Sequence, residues 1–155
     1  MKIIYCITKA DNGGAQTHLI QLANHFCVHH DVYVIVGNHG PMIEQLDARV
    51  NVIILEHLVG PIDFKQDILA VKVLAQLFSK IKPDVIHLHS SKAGTVGRIA
   101  KFISKSKDTR VVFTAHGWAF TEGVKPAKKF LYLVIEKLMS RITDSIICVS
   151  DFDKQ

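Results

Sequence analysis

Residues 82–94 read KPDVIHLHSSKAG, and this stretch decides the fold. Its first part, Asp84–Leu88, is rich in apolar and β-branched residues and predicts a strand. Ser90 or Ser91 then provides a helix cap. The helix is expected to bury Ala93, Val96, Ala100 and Ile103. A strand that passes into a helix within a few residues is the repeating unit of an α/β sheet.

The same alternation of strand and helix extends along the whole chain. Five more runs predict strands, at Lys2–Ile7, Asp31–Val36, Val50–Leu55, Arg110–Thr114 and Ser145–Val149. Several are continuous Val/Ile stretches, as expected where both faces of a parallel sheet are covered. The sequence therefore predicts a Rossmann-like, three-layer α/β/α fold with a mainly parallel sheet of six or seven strands and right-handed crossovers.

Three more long helices fit between these strands. The first follows Gly13-Gly14, the second starts at Asp63 with Gln66 placed for a capping box, and the last has Pro126 in its first turn. A shorter helix is predicted around Met42–Leu46. The expected buried positions are Ala15, Leu19, Leu22, Ala23 and Phe26 in the first helix, Phe64, Ile68, Val71, Ala75 and Phe78 in the second, and Phe130, Leu133, Val134 and Leu138 in the last.

Length and composition bound the class of protein. The 155 residues suit one domain, and a 48% apolar content excludes a disordered chain. The formal charge of +5 favours anionic partners such as phosphates, nucleotides or an anionic lipid surface. Three cysteines inside apolar runs indicate a reduced, cytoplasmic protein, and neither a signal peptide nor a membrane-spanning run is expected.

Because Ser150 is a good N-cap just before the last residues, we expect a domain excised from a longer chain.

Ligands of an open α/β sheet bind at the carboxyl ends of its strands. In the first such segment, Gly13 and Gly14 precede a helix that continues with Ala15. Two glycines let the backbone approach a bulky anion at the helix N-terminus, although the same pair also fits a plain strand-to-helix turn. Four other segments are predicted at this edge: 37–41, 89–97, 115–123 and 150–151.

Two histidines, His87 and His89, share one face of the predicted strand before the helix that begins at Ser90 or Ser91. They could begin a zinc site, but a catalytic zinc needs about three protein ligands. No second cluster in the sequence supplies a convincing third, so we predict no metal. We expect His87 to be a hydrogen-bonded core residue and His89 to face a ligand. The residues that open the helix suit an anion or sugar hydroxyls, and they are Ser90, Ser91 and Lys92.

The segment FTAHGWAFTEG, at residues 113–123, places a histidine at the end of another strand. A glycine and two aromatic residues follow it, which is unusual for plain core, and we predict that His116 is functional. Gly117, Trp118 and Glu122 of the same segment are predicted to contribute to substrate binding. The rings of Trp118 and Phe120 could stack on a sugar or a lipid, or could simply cover the end of the sheet.

Several other classes of protein lack their sequence signatures here. A GxGxxG fingerprint is absent, and the second strand ends at Gly37-Asn38 where an NAD enzyme would carry an acid. No P-loop motif is present, and no aromatic-basic interleaving or helix-turn-helix pattern supports nucleic-acid binding. A basic stripe fits either a solvated helix face, the commoner case, or contact with an anionic membrane. Its members are Lys125, Lys128, Lys129, Lys137 and Arg141.

Together, these segments resemble the N-terminal domain of bacterial, retaining GT-B glycosyltransferases of the glycosyltransferase family 4-like group. The resemblance covers the whole chain, residues 1–155, and the segments around His89 and His116 are its most specific part. Four segments carry it in the expected order: Gly13–Gln16 with His18, Lys82–Gly94, Thr114–Glu122 and Ile147–Ser150.

The resemblance implies two Rossmann-like domains that face each other across a cleft, with the C-terminal donor-binding domain absent from this chain. It implies transfer of a sugar from a nucleotide-diphosphate sugar to a sugar or lipid-linked acceptor, without a cofactor or metal. His116 would then lie near the transferred sugar, Gly13 and Gly14 would approach the donor diphosphate, and Ser150 would lie near the interdomain region.

By the same analogy, the product would be an envelope polysaccharide precursor, made in the cytoplasm or at the inner face of the membrane. The isolated fragment is expected to be inactive. A noncatalytic sugar- or nucleotide-binding domain is the alternative. The sequence defines no oligomeric state.

Overall fold

The computed structural model describes residues 1–104, 106, 108–117 and 126–150, which contain one six-stranded sheet. Every neighbouring pair of strands is parallel, and the order is β3-β2-β1-β4-β5-β6. The strands are β1 (Lys2–Ile7), β2 (Asp31–Val36), β3 (Asn51–Ile54), β4 (Val85–His89), β5 (Arg110–Ala115) and β6 (Ser145–Cys148). The helices are α1 (Gly14–Phe26), α2 (Phe64–Ile81), α3 (Ser91–Ser104) and α4 (Pro126–Ser140), with a 3-10 helix at Ile43–Gln45. The predicted Rossmann-like α/β fold is confirmed.

The six predicted strands are all present, and no strand end differs from its prediction by more than one residue. This agreement has a physical reason. A central parallel strand is covered on both faces, so its apolar run stops where the backbone leaves the sheet. β1 shows this pattern, because only Lys2 at its start is exposed and the remaining residues are buried.

Two hydrophobic cores cover the two faces of the sheet, because side chains of a strand alternate between its faces. Ile4 and Cys6 of β1 belong to the core that contains α2 and α3. Ile3, Tyr5 and Ile7 belong to the core that contains Leu19 and Ala23 of α1. Helices therefore pack on both faces, which gives the three predicted layers.

The second helix begins as predicted at Asp63, but its capping box does not form. Asp63 Oδ1 accepts hydrogen bonds from the backbone N–H groups of Lys65 and Gln66 at 3.0 and 3.1 Å. The Gln66 side chain does not accept a hydrogen bond from the backbone N–H of Asp63, as a capping box requires. Its Oε1 instead lies 2.7 Å from Nδ1 of His57, in the loop before the helix.

Several residues predicted to be buried are exposed. In α2, Phe64 and Ile68 are 82% and 57% exposed, because the buried part of this helix begins only at Ala70. Ile103 near the end of α3 is 54% exposed. On α4 the whole predicted core stripe is exposed: Phe130, Leu133, Val134 and Leu138. An amphipathic pattern identifies a face that favours burial, but it does not identify the surface that covers it.

A buried arginine connects α3 to α4. Arg98 is fully buried, and its Nη2 lies 3.0 Å from Oε2 of Glu136 on α4. Its Nε donates to the Gly94 carbonyl at 2.9 Å, and its guanidinium lies 4.3 Å from the ring centroid of Phe113. A buried charge requires a partner of this kind.

None of the helices in the described part of the chain is long and apolar enough to cross a membrane.

The close approach of three backbone segments at Gly37 gives a stability prediction. A Cβ at this position would lie 2.0 Å from the Leu58 carbonyl oxygen and 2.4 Å from that of Thr8. Because both atoms belong to the backbone, Gly37→Ala forces the ends of the strands apart. We expect a loss of about 1–3 kcal/mol in the free energy of unfolding, measured by urea denaturation.

The matched control is Gly14→Ala, because a Cβ on Gly14 would have no neighbouring atom within 4 Å. Its stability should be unchanged or slightly higher, since alanine favours a helix. Equal stability of the Gly37→Ala protein and the wild type would contradict the packing described here.

Candidate active site

Two predicted site histidines meet at the carboxyl edge of the sheet. His89 is the last residue of β4, and His116 directly follows β5. Because these strands pair in parallel, with His89 opposite Thr114, the two side chains reach each other. His89 Nδ1 lies 2.9 Å from His116 Nε2, and their rings are stacked with centroids 5.2 Å apart.

A third histidine, His18, joins them from α1. Its ring meets those of His89 and His116 edge-on, with centroid distances of 5.8 and 5.4 Å. One ring nitrogen of each of the three lies within 4.8 Å of the other two. His18 was not predicted as a site residue. The available signal was its position one turn after Gly14, because helix side chains point back towards the N-terminus.

His87 packs against the ring of His89 and is a hydrogen-bonded core residue, as predicted. It is 8% exposed, and its Nε2 lies 2.7 Å from the Thr114 hydroxyl. Its ring centroid lies 4.3 Å from that of His89 and 5.5 Å from that of Tyr5. These contacts hold the ring of His87 in place, and the ring of His89 packs against it.

Burial keeps these imidazoles neutral. Desolvation, with a smaller effect of the neighbouring histidines, lowers the pKa of His87 to about 4 and that of His89 to about 2. Desolvation also lowers the pKa of His116, with a further contribution from His18. A neutral imidazole carries one N–H donor and one acceptor lone pair. His89 and His116 therefore offer hydrogen bonds and metal-ligand atoms rather than positive charge.

The N-terminus of α1 lies beside the cluster and faces open space. Gly13 is the N-cap and makes no side-chain cap hydrogen bond. Gly14 would have no atom within 4 Å of an added Cβ, and Ala15, the next residue, is half-buried. A helix N-terminus of this kind presents a positive dipole end to an anion.

The residues at the start of α3 have different roles. Ser90 adopts a left-handed conformation with a φ of 72°, and its hydroxyl lies 2.6 Å from that of Thr8 at the end of β1. Ser91 is half-buried and is the first residue of α3. The Lys92 ammonium lies 2.5 and 2.7 Å from the two carboxylate oxygens of Asp67 on α2. Lys92 thus pairs with an acid of this domain.

Two of the remaining predicted site residues, Gly117 and Ser150, follow the ends of strands. Gly117 is exposed with a φ of 126°, a conformation that favours glycine, so the chain turns immediately after His116. Ser150 is exposed just after β6. The other predicted residues of the mouth segment, Trp118, Phe120 and Glu122, lie outside the described residues.

The fold and this site define one Rossmann-like half of the GT-B fold. Residues 12–155 match Glycosyltransferase Family 4. The chain belongs to this family, and the resemblance predicted from the segments around His89 and His116 is confirmed.

Curated bacterial glycosyltransferases are among its relatives. One, from Escherichia coli, is named UDP-Gal:alpha-D-GlcNAc-diphosphoundecaprenol alpha-1,3-galactosyltransferase and is 32% identical over 125 residues, which cover 81% of this chain and 32% of the relative. Another from Escherichia coli, the O-antigen biosynthesis glycosyltransferase WbnH, is 23% identical over 97% of this chain and 42% of the relative. The chain thus spans about a third to two fifths of the length of these proteins.

Solved structures support the fold. The structure of Anabaena Alr3699/HepE in complex with UDP-glucose superposes with a TM-score of 0.74 at 22% sequence identity. The alignment covers 99% of this chain and 39% of the Anabaena chain. At this level of identity the likeness establishes the Rossmann-like half of a GT-B fold.

The buried histidines make stability dependent on pH. Below about pH 6.5 the unfolded chain protonates its histidines, whereas the folded chain keeps His87 and His89 neutral because their pKa values are lowered to about 4 and about 2. The unfolded state then binds more protons, so stability is highest above about pH 6.5 and falls as the pH drops towards 4. Each histidine contributes a slope of about 1.4 kcal/mol per pH unit.

We expect His87→Gln to make this slope shallower by about the contribution of one histidine. The measurement is urea denaturation at several pH values between about 4.5 and 7. His25→Gln, which removes an exposed histidine of α1, should leave the slope as in the wild type. Equal slopes for the wild type and the His87→Gln protein would show that His87 is protonated in the folded state.

Proposed function

We propose that this chain is the N-terminal, acceptor-side domain of a retaining glycosyltransferase. The complete enzyme moves a sugar from a nucleotide-diphosphate sugar to an acceptor, and a C-terminal domain supplies most of the donor contacts. One observation carries the proposal. The His89–His116 pair at the ends of β4 and β5 lies beside the uncapped N-terminus of α1, and His18 of that helix contacts both rings.

This arrangement suits the charges that develop during glycosyl transfer. Negative charge grows on the leaving diphosphate, and the N-terminus of α1 after Gly13 and Gly14 offers N–H groups that stabilise it. The proposed reaction uses no cofactor or metal, and the C-terminal domain contributes the cations. Since Lys92 is paired with Asp67, the helix terminus is the better candidate for this role on the acceptor side.

His116 is proposed to contact the transferred sugar. Its Nε2 is engaged with His89, so Nδ1 is the nitrogen that we assign to a sugar hydroxyl. Because burial lowers the pKa of His116, the ring is neutral and acts through a hydrogen bond. Contact with His89 fixes the ring orientation, which is the preorganisation that transition-state stabilisation requires.

The acceptor is proposed to be a lipid-linked sugar, a precursor of an envelope polysaccharide at the cytoplasmic face of the membrane. A 32% identical relative is named for a GlcNAc-diphosphoundecaprenol substrate. The α4 helix adds physical support, because it exposes Phe130, Leu133 and Leu138 near basic residues such as Lys129 and Lys137. An exposed apolar face with nearby cations favours peripheral contact with anionic lipid.

The central test compares His116→Ala with the wild type in the complete protein. Donors are UDP-, GDP- and ADP-sugars, acceptors come from a lipid-linked extract, and transfer is followed by mass spectrometry. We expect the substitution to lower the transfer rate by about 100-fold or more, because it removes a hydrogen bond made in the transition state. NMR of the product should show the donor's anomeric configuration retained, and the 155-residue chain alone should not turn over.

The control is His29→Ala, which removes an exposed histidine located before the amino end of β2 and should leave the rate unchanged. Circular dichroism establishes that each variant is folded. A folded His116→Ala protein with near-wild-type transfer would remove His116 from the site. Donor binding without transfer, across all donors and acceptors, would instead favour a noncatalytic sugar- or nucleotide-binding domain.

A further inference from the structure

The three-histidine cluster has the composition of a transition-metal site. His18, His89 and His116 come from α1, β4 and the segment after β5, and each presents one ring nitrogen within 4.8 Å of the other two. Three protein nitrogens with a fourth position open is the ligand number of an accessible zinc site. This set includes His89 but not His87, and so differs from the pair that the strand spacing suggested.

The spacing of the nitrogens fits a zinc ion after small movements. Zn–N bonds of about 2.0–2.1 Å in a tetrahedral arrangement place two ligand nitrogens about 3.3 Å apart. The observed separations range from 2.9 Å, between His89 Nδ1 and His116 Nε2, to at most 4.8 Å across the group. The required distance lies between these values, and His18 and His116 are only half-buried, so their rings have room to adjust.

Two nitrogens of the cluster lack a hydrogen-bond partner within the described part of the chain. His89 is 0% exposed, and its Nε2 is buried and unpartnered. His18 Nδ1 is buried and unpartnered as well. A buried polar atom without a partner costs about 1–3 kcal/mol. A metal on His89 Nδ1 does not itself pair the buried Nε2, but it fixes the tautomer of the ring, because the nitrogen that does not bind the metal keeps the proton.

The chemistry of the ligands selects the kind of ion. Imidazole nitrogen suits zinc and the later first-row metals, whereas magnesium and calcium prefer oxygen. An anion is less favoured here, because neutral imidazoles attract it weakly.

We propose that His18, His89 and His116 bind a Zn²⁺ ion with one coordination position open. His87, held by Thr114, lies behind His89 and keeps that ring in place. The ion is not part of the transfer reaction. It takes His116 Nε2, the atom that contacts His89, and so breaks the contact that holds the His116 ring for the sugar. This last consequence rests on the proposed function, whereas binding of the ion does not.

The test is a titration of the purified protein with Co²⁺, whose visible d–d absorption reports tetrahedral coordination, followed by displacement with Zn²⁺. We expect one site per chain. His18→Ala and His116→Ala should each weaken Zn²⁺ binding by more than about 100-fold, since loss of even an outer-shell partner costs about 10–100-fold. His89→Ala is avoided as the main test because a fully buried residue is lost.

Two further variants separate ligation from a structural effect. His18→Cys should restore tight binding and add a sulfur-to-cobalt charge-transfer band, because thiolate also ligates these metals. His25→Ala, an exposed histidine further along the same helix, should bind as the wild type does. A folded wild-type protein without a tetrahedral Co²⁺ spectrum, or equal losses in His25→Ala and His18→Ala, would overturn the proposal. Since no sugar is present, failure here leaves the proposed transferase activity to its own test.

Discussion

The parallel pairing of β4 with β5 is the constraint on which the rest of the site depends. Its register sets His87 opposite Val112 and His89 opposite Thr114, so that His116, two residues further along, reaches the end of β4. β1 pairs with the other side of β4 and leads into Gly13 and α1. Three segments distant in sequence therefore end at one edge, and the crossover helices that make the sheet parallel also bring the histidines together.

Burying histidine side chains at this edge of the sheet lowers the free energy of unfolding at acidic pH. Desolvation lowers the pKa of His87 and His89, which means that protonation and folding compete at acidic pH. The Thr114 hydroxyl offsets part of the cost for His87, but Nε2 of His89 has no such partner among the described residues. A buried polar atom without a partner is uncommon in folded proteins and calls for an explanation, for example a bound ligand nearby or a functional role.

The sequence predicted the strands to within one residue because a doubly covered strand is one uninterrupted apolar run. It also predicted His89 and His116 as site residues, since both follow such runs. It did not predict their contact or the arrival of His18, because strand order and register depend on long-range pairing. The local pattern also did not predict that the apolar stripe of α4 is exposed, or that Lys92 forms an ion pair with Asp67. Those outcomes depend on neighbours from other segments, which no local window contains.

The site combines two different chemistries side by side. The N-terminus of α1 offers N–H groups and a positive dipole end, which suit an anion. The histidine cluster offers imidazole N–H donors and lone pairs, which suit a hydroxyl or a metal ion. A nucleotide-diphosphate sugar carries both an anion and hydroxyls, so the two halves of the site can take adjacent parts of one molecule. Zn²⁺ matches only the histidine half, so the proposed ion replaces the His89–His116 contact while the diphosphate position stays open.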